Sequence, residues 1–136
     1  MPAADGPVPD AEGRQQPAVM IVDDEVDILL TLRLILEKFG FQNVDTFSSP
    51  LEALANFKKG KYDLVVLDIR MPEMSGYDLY REIRRLDTAV VVCFVSAFED
   101  YFQEFSKLFP GDKNGCFMRK PVSMTELLQK IKERLG

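Results

Sequence analysis

The strongest constraint on this chain is the character and spacing of its short apolar runs. AVMIV (18–22), DLVVL (63–67) and AVVVCFV (89–95) are almost continuously apolar. A strand with one wet face alternates apolar and polar residues. A strand that does not alternate is covered on both faces, as in parallel sheets with helices on each side. Two shorter runs, NVDTF (43–47) and CFM (116–118), bring the strand count to five.

The stretches between these runs carry helical signals. Ile28, Leu32, Ile35, Leu36 and Phe39 recur at three- and four-residue intervals, and Gly40 fits the position just past a helix end. Ser49-Pro50-Leu51-Glu52 reads as an N-cap, a proline at the first helical position and a glutamate closing a capping box, with Gly60 ending that unit. A third helix runs from about Tyr77 to Leu86. Phe98, Phe102, Phe105 and Phe109 give a fourth, its rings expected in the core. PGDKNG (110–115) is a turn-rich loop, and Ser123-Met124-Thr125-Glu126 is a second capping box that opens a last helix through Leu135. Strict alternation of strand and helix implies right-handed crossovers and a parallel sheet. The expected fold is therefore α/β: a flavodoxin-like, doubly wound, five-stranded parallel sheet in the order 2-1-3-4-5, with five helices.

A chain of 136 residues has room for one such domain. Residues 1–17, rich in Pro, Ala and Gly, bury too little to offset their ordering entropy, so a disordered tail is expected there and the domain over 18–136. The net charge of −5 argues against direct nucleic-acid binding. The chain has no histidine, which removes Ser/His/Asp and Cys/His catalysis and the usual zinc sites. Cys93 and Cys116 sit in apolar stretches and read as free core thiols, in keeping with a reducing, cytoplasmic setting. No apolar run approaches the ~20 residues needed to cross a bilayer, and the start of the chain lacks a signal-peptide layout.

In open α/β sheets, ligands bind past the carboxyl ends of the strands, near the point where strand order reverses. Asp23 and Asp24 follow the first strand, Asp68 the third, Ser96 the fourth and Lys120 the fifth. Each alone is the kind of residue that caps a helix or forms a turn. Together they place three carboxylates, a hydroxyl and an ammonium at one end of one sheet. Crowded carboxylates need a counter-charge, and an oxygen-only donor set suits Mg²⁺. Lys120 is the fixed cation of the set, and Ser96 is a hydrogen-bond donor.

IVDDE (21–25), VVLDIRMPEMSG (65–76), FVSA (94–97) and FMRKP (117–121) resemble, as a set and in order, the receiver domains of two-component response regulators. The likeness runs from about Ala18 to Leu135. It implies that Asp68 accepts a phosphoryl group, and that Asp24 is the main metal carboxylate. Asp23 contacts the metal directly or through water, and the backbone carbonyl of Arg70 adds a ligand. It also implies that Ser96 is the switch hydroxyl, Lys120 the pocket lysine and Phe117 the aromatic ring that changes rotamer on activation. Lys120–Pro121 is a candidate cis peptide. The implied donor is a histidine kinase or phosphotransfer protein, because a chain without histidine cannot donate phosphohistidine to itself. A downstream target protein would read the switched surface around the fourth helix, fifth strand and fifth helix.

Two departures from the family stand out. The segment holding PGDKNG is longer than usual, beside that output surface. Arg70 and Phe98 occupy positions that tune hydrolysis of the acyl phosphate, and bulky Phe98 is expected to shield the phosphoryl group. Two other classes fit these residues less well. An aspartyl-phosphate phosphatase or mutase usually carries a second Asp where this chain has Arg70, and the chain lacks room for a substrate cap. A receiver-fold binding module that works without phosphate tends to lose acidic-pocket residues, and this chain keeps them. P-loop nucleotide binding is excluded by the absence of GxxxxGK[ST].

Overall fold

A computed structural model of the chain describes residues 17–97 and 101–135. In chain order the elements are β1 (Val19–Val22), α1 (Val26–Lys38), β2 (Val44–Phe47), α2 (Pro50–Asn56), β3 (Leu64–Asp68), α3 (Gly76–Leu86), β4 (Val91–Ser96), α4 (Tyr101–Leu108), β5 (Phe117–Arg119) and α5 (Met124–Leu135). The strands form one sheet in the order β2-β1-β3-β4-β5, with every neighbouring pair parallel.

The inner strands β1, β3 and β4 are buried on both faces, which is why they read as nearly unbroken apolar runs. Val19, Ile21, Leu64, Val66, Val95 and Met118 pack with Leu29, Leu32 and Leu36 of α1 and with Leu127 and Ile131 of α5. Met20, Val22, Val65, Leu67, Val92 and Phe94 face the other way, toward Ala53 of α2, four residues of α3 and Phe105 of α4. On that second face the packing is largely aromatic. Tyr80 meets Phe109 edge-on at 4.9 Å, and Phe94 stacks on Phe117 at 5.5 Å. Such pairs add about 0.5–1.5 kcal/mol each beyond the area they bury. The Tyr80 hydroxyl donates to Asp112 and accepts from Arg84, so PGDKNG is tied to α3 through a buried ring.

Helix ends follow local chemistry. Ser49 Oγ accepts from Glu52 N at 3.3 Å and Ser123 Oγ from Glu126 N at 3.0 Å, as their spacing predicts. Ser75 and Asp78 form a reciprocal capping box that opens α3, a signal the sequence reading passed over.

Some expectations change or fall outside the described residues. The reading of Cys93 and Cys116 as free thiols is corrected: they form a disulfide, with Cα atoms 4.5 Å apart. The physical reason is register. Phe94 pairs with Phe117 across β4 and β5, so the residues one step earlier on each strand are neighbours on the same face. Phe39 was expected to continue the core stripe of α1 but is 47% exposed; the chain turns at Gly40, with φ at +95°, and Phe41 enters the core instead. The expected disordered tail lies, apart from Pro17, outside the described residues, as does the expected shielding role of Phe98. No described helix is long and apolar enough to cross a membrane.

Candidate functional site

Every strand-end residue singled out in the sequence lies at the carboxyl edge of the sheet. Asp23 is the first residue past β1 and only 2% exposed. Its Oδ1 accepts from Glu25 N at 2.8 Å, which turns the chain into α1. Asp68 ends β3 and is 5% exposed, and Ser96 ends β4, also buried. The Ser96 carbonyl accepts from Lys120 N at 2.9 Å, so the end of β5 is tied to the end of β4. The Lys120–Pro121 peptide bond is cis. Phe117 packs between Phe94, Phe102 and Phe105, on the α4 side of the sheet.

Lys120 is the electrostatic centre of this cluster. Its Nζ lies 2.8 Å from Glu25 Oε1, 3.0 Å from Asp23 Oδ2 and 3.5 Å from Asp68 Oδ1. Burial works against the ammonium, but Glu25 and Asp23 outweigh it and raise its pKa above the ordinary lysine value. The carboxylates are perturbed in turn. Burial, then the charge of Asp23, push Asp68 up to about 7; Lys120 pulls the other way, and Asp24 adds to the rise. Asp23 is also raised, chiefly by burial, against the pull of Glu25 N and Lys120. One ammonium therefore does not fully balance this site.

That imbalance is the test of whether a cation fits. Carboxylate oxygens of Asp23, Glu25 and Asp68 all lie within 4.8 Å of one another. The donors are all oxygen, and a divalent cation would supply the missing positive charge. The described residues thus hold an acidic cluster able to bind a metal. Glu25 belongs to this tight group, although the sequence reading singled out only its two predecessors. Asp24, expected as the main metal carboxylate, is exposed and acts on Asp68 through a side-chain hydrogen bond, outside the tight group of Asp23, Glu25 and Asp68. Arg70, in the loop after Asp68, turns its side chain to Glu104 of α4, with Nη2 2.7 and 2.8 Å from the two carboxylate oxygens.

Gly76 explains how Asp68 is held. A Cβ at position 76 would lie 2.2 Å from the Asp68 carbonyl oxygen, so only glycine lets α3 start this close to β3. Gly76 N donates to Ile69 O at 2.8 Å, which closes the loop that follows Asp68. The MPEMSG run carried this signal, because a glycine opening a helix beside a strand end marks a close backbone approach.

Residues 19–132 match the response regulator receiver domain family, and the chain belongs to it. It is 30% identical over 118 residues to the chemotaxis protein CheY of Bacillus subtilis, covering 87% of this chain and 97% of that one. It is 33% identical over 123 residues to the transcriptional regulatory protein PrrA of Mycobacterium leprae, covering 90% of this chain and 52% of that one. The chain therefore spans about half the length of PrrA. Among solved structures, the complex of CheX, CheY, BeF3 and Mg from Borrelia burgdorferi matches with a TM-score of 0.80 at 28% identity, covering 95% of this chain and 96% of that one. The chain is a receiver domain of the two-component type, the class of domain that serves as a phosphoacceptor switch.

Proposed function

We propose that this chain takes a phosphoryl group onto Asp68, with Mg²⁺ bound at the same pocket, and signals through the resulting change of surface. The observation that carries the reading is the Lys120 ammonium among Asp23, Glu25 and Asp68 at the carboxyl edge of the sheet. The donor is a partner histidine kinase or phosphotransfer protein, since the chain has no histidine of its own. The reader is a target protein. An acidic chain with a net charge of −5 is poorly suited to nucleic acid, so the output is protein contact. Such donors and targets make the cytoplasm the setting we propose for this chain, on their account and not on that of the cysteines, which are paired as a disulfide. It is a switch that modifies and slowly unmodifies itself, with no turnover of external substrates.

The chemistry assigned to each residue follows from its place. An Asp68 carboxylate oxygen attacks phosphorus in line. The new P–O bond forms as the bond to the donor breaks, and the bonding pair leaves with the donor. Lys120 faces the phosphoryl oxygens as a fixed positive charge. Asp23, Asp24, Asp68 and the backbone carbonyl of Arg70 would hold the cation, with Glu25 close enough to join or to retain Lys120. The cation supplies positive charge against the phosphoryl oxygens when bound. The acyl phosphate carries nearly two negative charges where one carboxylate stood. Ser96 then donates its hydroxyl to a phosphoryl oxygen, and Phe117 repacks among the rings beneath α4. We assign residues 18–136 to this domain.

Intact-protein mass spectrometry after incubation with acetyl phosphate tests the reading. One phosphoryl adduct that requires Mg²⁺ and is missing from Asp68→Asn is expected. A folded, Mg²⁺-binding protein that never gains the adduct would favour a receiver fold that binds partners without phosphate.

A further inference from the structure

The Arg70–Glu104 pair joins two parts of the molecule that the phosphoacceptor reading treats separately. Arg70 sits two residues past Asp68, in the loop that leads to α3. Glu104 lies on α4, beside Phe105, whose ring packs against Phe94 and Phe117. The pair spans 34 residues of sequence, and one guanidinium nitrogen meets both carboxylate oxygens. Its two side chains are 47% and 32% exposed.

A phosphodonor is an anion, and it must approach a pocket already holding Asp23, Glu25 and Asp68. Lys120 is committed to those three groups. Arg70 is a second cation close in sequence to the acceptor, and its guanidinium is held by the half-buried carboxylate of Glu104. A pair this exposed is weak, so changing partners costs little. A phosphoryl group offers a guanidinium better geometry and more charge than a single carboxylate does.

On the phosphoacceptor reading above, we propose that Glu104 is a gate on Arg70. While Glu104 holds the guanidinium, Arg70 does not assist the anionic donor. When a phosphoryl group arrives at Asp68, Arg70 exchanges Glu104 for it, and α4 loses its tie to the β3–α3 loop. Glu104 acts through Arg70 and is a positioning residue. Arg70 is the group that meets the phosphoryl oxygens.

The test is the rate of adduct formation from acetyl phosphate and Mg²⁺, followed by intact mass at low and high salt. Glu104→Gln should take up the phosphoryl group roughly two- to fivefold faster at low salt, as expected for release of an exposed pair. The gain should shrink at high salt, where attraction of the donor is screened. In Arg70→Met, Glu104→Gln should bring no gain, and in Arg70→Lys the gain should return in part. A Glu104→Gln protein no faster than the parent overturns the gate, as does a gain that survives in Arg70→Met. Failure of the parent itself to form the adduct overturns the phosphoacceptor reading, and the gate with it.

Discussion

Replacing Asp68 by Asn removes a carboxylate whose ionisation the fold resists. Asp68 is 5% exposed, and burial together with Asp23 pushes it up to about 7 from an ordinary 3.8, despite Lys120 at 3.5 Å. In the unfolded chain the proton leaves near pH 4, and in the cation-free folded chain it leaves only near pH 7. Between those values the folded state holds a proton that the unfolded state has lost. Its contribution is fully present below about pH 4, declines as pH rises through the window, and is gone above 7. At roughly 1.4 kcal/mol per pH unit, the gap amounts to about 4 kcal/mol as an upper bound. Asn keeps the shape of the neutral acid and escapes this cost. Urea unfolding without divalent cation should therefore show Asp68→Asn more stable than the parent by about 2–4 kcal/mol at pH 8, converging toward the parent near pH 4. Saturating Mg²⁺ should narrow the difference at pH 8 by stabilising the parent. A difference independent of pH, or a mutant less stable than the parent at pH 8, would refute the electrostatic account of the pocket.

Three further perturbations probe how the pocket is built. Gly76→Ala places a methyl 2.2 Å from the Asp68 carbonyl oxygen, so the start of α3 must move; we expect a loss of about 2–3 kcal/mol in chemical unfolding, together with weakened Mg²⁺ binding by titration calorimetry. Reduction of Cys93–Cys116, which closes a 23-residue separation, should cost about 3 kcal/mol, read as a lower urea midpoint, with two thiols appearing on alkylation. Asp87 is buried and accepts from the backbone N–H groups of Gly60, Ala89 and Val90; although burial opposes it, these donors and Arg84 hold its pKa below the usual range. Asp87→Ala should cost about 2–4 kcal/mol at neutral pH. The loss should shrink in acid, since a depressed carboxylate contributes above its unfolded value and ceases to contribute once pH falls through its folded one.

The strands and the residues at their ends were legible because burial on both faces leaves a mark at every position. Val65, Val66 and Leu67 cannot be polar in this sheet, and Asp68 stands out by ending the run. The cysteine pair was not legible. Which residues of β4 and β5 stand side by side is a matter of register, and two parallel strands 23 residues apart carry no local cue to it. Glu25 was passed over for a related reason. An acid that begins a helix reads as a cap, and only its 2.8 Å contact with Lys120, 95 residues away, places it in the pocket. Arg70–Glu104 likewise depends on where α4 lies against the loop after β3. The phenylalanine spacing did announce α4, but spacing alone could not divide its rings: Phe105 is buried, while Phe102 is 62% exposed beside Phe117.

The most direct measurement is to locate the modified residue. The protein would be treated with acetyl phosphate and Mg²⁺, reduced with sodium borohydride, which converts an aspartyl phosphate to homoserine, and digested for peptide mapping. Homoserine at position 68 and at no other acidic residue is the predicted result. Homoserine at Asp23 or Asp24, 5-hydroxynorvaline at Glu25, or a borohydride-resistant phosphate on Ser96 would contradict the assignment of Asp68 as the acceptor.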